Sequence, residues 1–207
     1  MDLERDTKPA GPAPAPRGRP SRRSMLLSTA IRVLQERGIR NMTLEEVCAA
    51  SGVSRGAVYW HFRSKERLVE ESLAATTLPL EQLRQQAWED PCTTLARAVM
   101  ACVTQERLRG LCVTLLFNAS EAAARARMAR VRVAVTWFLA RHCVARRDVL
   151  GRVARRHRVQ LAHAMVMGSL IEFMAFMPRD IAGEHALAQA LRRLVGAGPA
   201  QERLQPV

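Results

Sequence analysis

Three aromatic residues, Tyr59, Trp60 and Phe62, fall within four positions of a 207-residue chain that holds only five Phe, three Trp and one Tyr. They end the stretch LEEVCAASGVSRGAVYWHF, residues 44–62. Phe62 follows Val58 by four positions and can pack inward with it, but Tyr59, Trp60 and His61 cannot all be buried on so short a helix. Exposed aromatics with polar tips suit contacts to phosphate and sugar. The chemistry offered is therefore binding. The chain carries no nucleophile elbow, no Gly-rich phosphate loop and no H-E-x-x-H pair. No catalytic residue, metal site or cofactor is expected. The five cysteines, Cys48, Cys92, Cys102, Cys112 and Cys143, are scattered, with no C-x-x-C spacing, and read as reduced thiols.

The elements that must position these side chains are helical. Leu27, Ala30, Ile31 and Leu34 form one apolar stripe over about 24–37, with Gly38 as a stop. Thr43 and Glu46 form a T-x-x-E capping box at the start of a second helix, which ends at Gly52. Ser54 caps a third helix through about Phe62, and Ser64 caps a fourth from Lys65 past Leu73. Cys48 is small enough for close helix approach, and Val47, Val53 and Val58 form a wedge between the second and third helices. These are the requirements of a helix-turn-helix, whose second helix projects into a major groove.

Beyond Pro79 the pattern predicts helices at roughly 80–89, 93–107, 110–118, 121–146, 155–177 and 184–196, with breaks near Pro91, Gly110, Gly151, Pro178 and Gly183. The fold class expected is all-α: a basic arm over 1–21, a helix-turn-helix unit over 22–68, a helical unit over 69–198 and a tail over 199–207. The net charge of +13 attracts polyanions, nucleic acid first and an anionic membrane surface second. No secretory leader and no unbroken apolar run of membrane-spanning length is read, so neither export nor a membrane partner is expected. Arg125, Arg127, Arg130 and Arg132 are expected on a solvated face.

The segment TLEEVCAASGVSRGAVYWHFRSKERLVEE, and within it SRGAVYWHF followed by SKERL, resembles the DNA-binding core of the TetR family in its AcrR-like branch. The resemblance covers about residues 24–72. It implies a cytoplasmic transcriptional repressor with two partners: double-stranded operator DNA and a small-molecule effector that releases it. It implies that Thr43 donates to a phosphate and that Ser54, Arg55 and Gly56 face the groove. Arg55 would read a guanine edge, and Gly56 would allow close backbone approach. Tyr59 and His61 would hold phosphates, Trp60 would pack at the groove wall, and Lys65 would meet a phosphate at the amino end of the fourth helix. Pro16-Arg17-Gly18-Arg19-Pro20 resembles an AT-hook core; Arg17 and Arg19 would lie along a minor groove or bind phosphates without preference.

The resemblance further implies a homodimer through about residues 155–196. Ala164, Met167, Gly168, Ile171 and Ala175 would allow close approach, and Leu187, Leu191, Leu194 and Val195 would add a second stripe. An effector pocket among the middle helices would draw on Trp88, Met100, Phe117, Met128, Trp137, Phe138, Met165 and Phe173. By analogy the controlled genes encode a multidrug efflux pump. The alternatives are a metabolic or stress operon with an anionic or neutral ligand, and a DNA-binding protein that needs no ligand. The region after Pro79 holds 19 Arg against 10 Asp and Glu, which points toward an anionic or neutral effector.

Overall fold

The computed structural model describes residues 21–144, 151–176 and 182–196. The expected basic arm with Arg17 and Arg19, the break at Pro178 and the tail lie outside the described residues. All regular structure among the described residues is helical.

The first helix, α1, spans Arg22–Asn41 and is capped by the Ser21 hydroxyl, which accepts from the Ser24 amide. It buries Leu26, Ala30, Val33 and Leu34 and breaks at Gly38, whose φ of 78° and ψ of 164° suit only glycine. Helix α2, Leu44–Ser51, opens on the Thr43–Glu46 capping box and ends at Gly52 in the left-handed region, φ 66°. Helix α3, Arg55–Phe62, is capped by Ser54 and α4, Lys65–Ala74, by Ser64. Val47, Val58 and Phe62 are buried between α2 and α3, and Leu68, Val69 and Leu73 bury the inner face of α4 against α1.

The helix expected at 80–89 does not form. A 3-10 turn at Pro79–Glu81 takes its place, and the chain runs irregularly to Asp90. Glu81 accounts for part of this. Its carboxylate accepts from the Leu78 amide and pairs with the guanidinium of Arg127. The side-chain amide of Gln85 donates to the carbonyls of Gln86 and Glu89, which helical geometry would have used elsewhere. Asp90 then caps α5, Pro91–Thr104, with Pro91 in the first turn, where its missing amide costs nothing. Pro91 thus starts a helix rather than breaking one.

Helix α6 is Glu106–Phe117 and α7 is Ala122–Phe138, the latter running into a π turn at Leu139–Cys143. Gly110, expected as a break, lies inside α6. A Cβ there would come within 2.4 Å of the side-chain nitrogen of Gln35, so the glycine marks where α6 crosses α1 closely. Helix α8 is Gly151–Phe176 and α9 is Ala182–Val195, with Gly183 inside α9. Helix α5 forms the centre of the larger unit, packed by α6, α8, α9 and the 3-10 turn. Arg192 of α9 donates to the Asp90 carboxylate and to the Thr93 hydroxyl, tying α9 to the start of α5.

Two further expectations change. Arg127 is not on a solvated face: it is buried, and its guanidinium donates to the carbonyls of Leu73 (2.6 Å) and Thr76 (2.7 Å) as well as to Glu81. Leu187, Leu191 and Val195 are buried within the subunit, so the α9 stripe is spent largely on its own core. Helix α8 over Arg152–Phe176 is long and apolar enough to cross a membrane by length and composition alone, yet Arg155, Arg156, Arg158 and Glu172 interrupt it, so it is not an unbroken apolar run. Here it packs against α5, α7 and α9 and buries Val159, Ala162, Val166, Leu170 and Met174.

The cysteines are not scattered in space. Cys102 of α5 neighbours Cys112 of α6, and Cys92 of α5 neighbours Cys143 of the π turn. The neighbouring thiol and burial push the Cys102 and Cys143 thiols up. All five remain free.

Candidate nucleic-acid interface

Helices α2 and α3 meet across a turn held by backbone bonds: the amides of Gly52 and Val53 both donate to the Cys48 carbonyl. Cys48 itself is half-buried against the core, as its small size allows. With Val58 and Phe62 facing inward, the remaining surface of α3 faces out. Ser54, Arg55 and Gly56 are exposed, Tyr59 is 39% and Trp60 80% exposed, and His61 is half-buried. The Trp60 and His61 rings meet edge-on at 4.8 Å. Nothing crowds the outer side of Gly56. The exposed surface of this helix thus carries a guanidinium, a phenol and an indole.

The structure adds partners that spacing alone did not reveal. Arg55 forms an ion pair with Glu45 of α2 at 2.8 Å, and its guanidinium lies 5.5 Å from the Tyr59 ring and 3.4 Å from the Tyr59 hydroxyl. That hydroxyl, followed by the Glu45 charge, raises the Arg55 pKa. Glu45 thus holds the side chain expected to read a base, and contact with a guanine would require exchanging this partner. No helical spacing links residues 45 and 55; only the angle of the turn brings them together.

Thr43 is occupied as a cap. Its hydroxyl accepts from the Glu46 amide at 3.2 Å and donates to the Glu46 carboxylate at 3.1 Å. The Thr43 amide bond lowers the Glu46 pKa, helped by the Thr43 hydroxyl and by the Arg37 and Lys65 charges. Lys65 donates to the Arg40 carbonyl at 2.9 Å, bracing α4 on the end of α1. An ammonium has three donors, so this leaves two for an anion.

The eight side chains expected to line one pocket do not converge. Met100 and Phe138 are buried in the core, and Met128, Met165 and Phe173 pack half-buried against it. Trp88, Phe117 and Trp137 are 80%, 86% and 60% exposed. They border different clefts: Trp88 beside α5, Phe117 between α1 and α6, Trp137 along α7. The unwinding of 80–89 leaves Trp88 on a turn, and Phe117 is the last residue of α6, so neither faces inward.

A rigid two-helix reader with an outward second helix, carried beside a larger helical unit, defines a helix-turn-helix protein. Residues 26–72 match the model for bacterial regulatory proteins of the tetR family. Residues 26–72 therefore carry a DNA-binding segment of the tetR family, and the chain as a whole is similar to TetR/AcrR regulators. It is 33% identical over 107 residues to the HTH-type transcriptional regulator AcrR of Shigella flexneri, covering 48% of this chain and 49% of that protein. It is 37% identical over 59 residues to SrpR of Pseudomonas putida, covering 28% of each. The matches therefore span about half the length, or less, of these curated relatives. Among solved structures, native NalD, described as the secondary repressor of the MexAB-OprM multidrug efflux pump in Pseudomonas aeruginosa, is 27% identical with a TM-score of 0.66. That match covers 84% of this chain and 95% of NalD. EbrR, solved with malachite green, shares the fold at 21% identity, a TM-score of 0.64, and coverage of 85% of this chain and 99% of its own.

Proposed function

We propose that this chain is a cytoplasmic transcriptional repressor that grips a palindromic operator as a homodimer and lets go when a small molecule binds its helical unit. The observation that carries this reading is the outward face of α3, with Arg55, Gly56, Tyr59 and Trp60 free of the core on a helix fixed at both ends. The DNA-binding unit is taken as 22–68 and the sensing and dimer-forming unit as 69–198. It has no catalytic or cofactor role in this reading. Arg55 reads a base edge from Ser54–Gly56. Thr43, Tyr59, His61 and Lys65 meet phosphates, Trp60 packs at the groove wall, and Arg17 and Arg19 extend the grip beyond the described residues.

A twofold partner fits the outer face of α8. Leu161, Ala164, Gly168, Ile171 and Ala175 form an exposed stripe of apolar and small residues, spaced for helix contact. Release needs a route from sensor to reader, and α6 and α7 supply one. Asn118 accepts the Ile39 amide at 2.8 Å just past the α1 break, and Arg127 holds the end of α4. A shift of either helix moves the reader relative to its half-site. Control of an efflux operon is the reading favoured by the likeness to AcrR and NalD.

Fluorescence anisotropy with genomic promoter fragments tests the reading. The parent protein should bind one fragment with sequence preference. Tyr59→Ala and Lys65→Ala should both weaken binding, and Lys65→Ala should lower the salt slope by about one while Tyr59→Ala leaves it unchanged. Equal binding to every fragment, unmoved by either substitution, overturns it.

A further inference from the structure

We propose that the cleft between α7 and α8 is a binding site for a small organic anion with an apolar or aromatic body. Arg132 from α7 and Arg152, Arg155 and Arg156 from α8 line it, with His163 about two turns further along. The cleft measures about 480 Å³, in the range of small-molecule sites. None of the eight side chains first expected to form a pocket lines it. As a binding site it stands on its own geometry; as the effector site it rests on the regulatory reading above.

The charge balance points to an anion. No carboxylate among the described residues forms an ion pair with any of the four arginines. Arg155 donates to the Ala140 carbonyl, yet its Nε is buried without a hydrogen-bond partner, as is Nε2 of His163. Burial, then the Arg132 charge, lowers the His163 pKa. Among the described residues these four like charges have no counter-charge and repel, and buried polar atoms without partners are costly. An acid group among the guanidiniums answers both, through paired charge-assisted bonds.

The rest of the ligand is specified by what adjoins the arginines. Buried Val159 and half-buried Ala140 form an apolar floor. A neighbouring cleft shares Ala140, Arg152 and Arg155 and is walled by the exposed ring of Trp137. An aromatic or alkyl body can lie on that ring while its acid group reaches the arginines.

The cluster is poorly placed to serve the DNA held by α3. Helix α7 starts against α4, where Arg127 meets Leu73, and runs away from it. Arg132, Thr136 and Ala140 therefore sit roughly 8, 14 and 20 Å farther along the axis. Nor does the cleft belong to the dimer stripe: on α8, residues 152, 156, 159 and 163 lie roughly a third of a turn from residues 161, 164, 168 and 175.

The test uses the full chain and a fluorescent organic anion, anilinonaphthalene sulfonate, against its uncharged parent, phenylnaphthylamine. The sulfonate should bind saturably at one site per chain, and Arg132→Gln/Arg156→Gln should weaken it on the order of tenfold or more. Binding of the uncharged parent should not respond to the substitutions. The double variant should melt no lower than the parent protein, because it loses repulsion rather than packing. Unchanged sulfonate affinity in the double variant overturns the proposal, as does equal binding of the two dyes. Anisotropy with the promoter fragment separates the two readings. Loss of sulfonate binding with intact DNA binding in the double variant supports the site, and absence of DNA binding in the parent, with the sulfonate site intact, sinks only the repressor reading.

Discussion

Helices α1 to α4 each begin on a hydroxyl that accepts an amide of the first turn: Ser21, Thr43, Ser54 and Ser64. Helices α6 and α7 begin on Gln105 and Glu121, and neither side chain caps its helix. They are held instead by distant groups. Arg109 reaches the Met174 carbonyl of α8, Asn118 reaches the Ile39 amide, and Arg127 reaches the end of α4. The reader is thus stiffened by bonds within three residues of each helix start, while the helices behind it are positioned by side chains from elsewhere in the fold. A reader must keep its angle whatever the state of the protein. A sensor must have helices whose placement depends on contacts that a ligand can alter.

The two designs fail differently when cut. Arg127→Ala should do most damage, because it strands Glu81 and two backbone carbonyls in a buried site. A loss of about 3–5 kcal/mol is expected in urea unfolding, and a loss under about 1 kcal/mol would show that the buried network does not position α7. Gly38→Ala comes next. It forces a side chain into a conformation reserved for glycine and sets a Cβ 3.1 Å from the Asn118 oxygen, costing about 2 kcal/mol and raising amide exchange at Ile39. Ser54→Ala should cost about 1 kcal/mol, with faster amide exchange confined to α3; exchange spreading through α6 and α7 would erase the distinction between the units. The smallest effect is chemical. In native protein a thiol reagent should modify Cys48 first and reach the Cys102–Cys112 and Cys92–Cys143 pairs only on unfolding, since those four are buried.

The reader was legible because its signals are short-range. Thr43 with Glu46, Gly52 and Ser54 act within three or four positions, and the burial of Val58 and Phe62 follows from helical period alone. The Arg55–Glu45 pair was not legible, because the turn angle that joins them is a product of packing. The expected pocket failed for a related reason. Large apolar side chains mark an interior only if their helix exists and turns them inward, and residues 80–89 are not helical.

The linear chain therefore determined where the first four helices start, where Gly38 and Gly52 interrupt them, and which side of α3 is left outside, since each depends on neighbours a few residues away. The tertiary structure alone decided that Arg127 is buried, that Gly110 lies within a helix, and that Arg132 shares a cleft with Arg152, Arg155 and Arg156. Those outcomes depend on groups some twenty to seventy-five positions distant, whose approach is set by how whole helices pack and by no local preference.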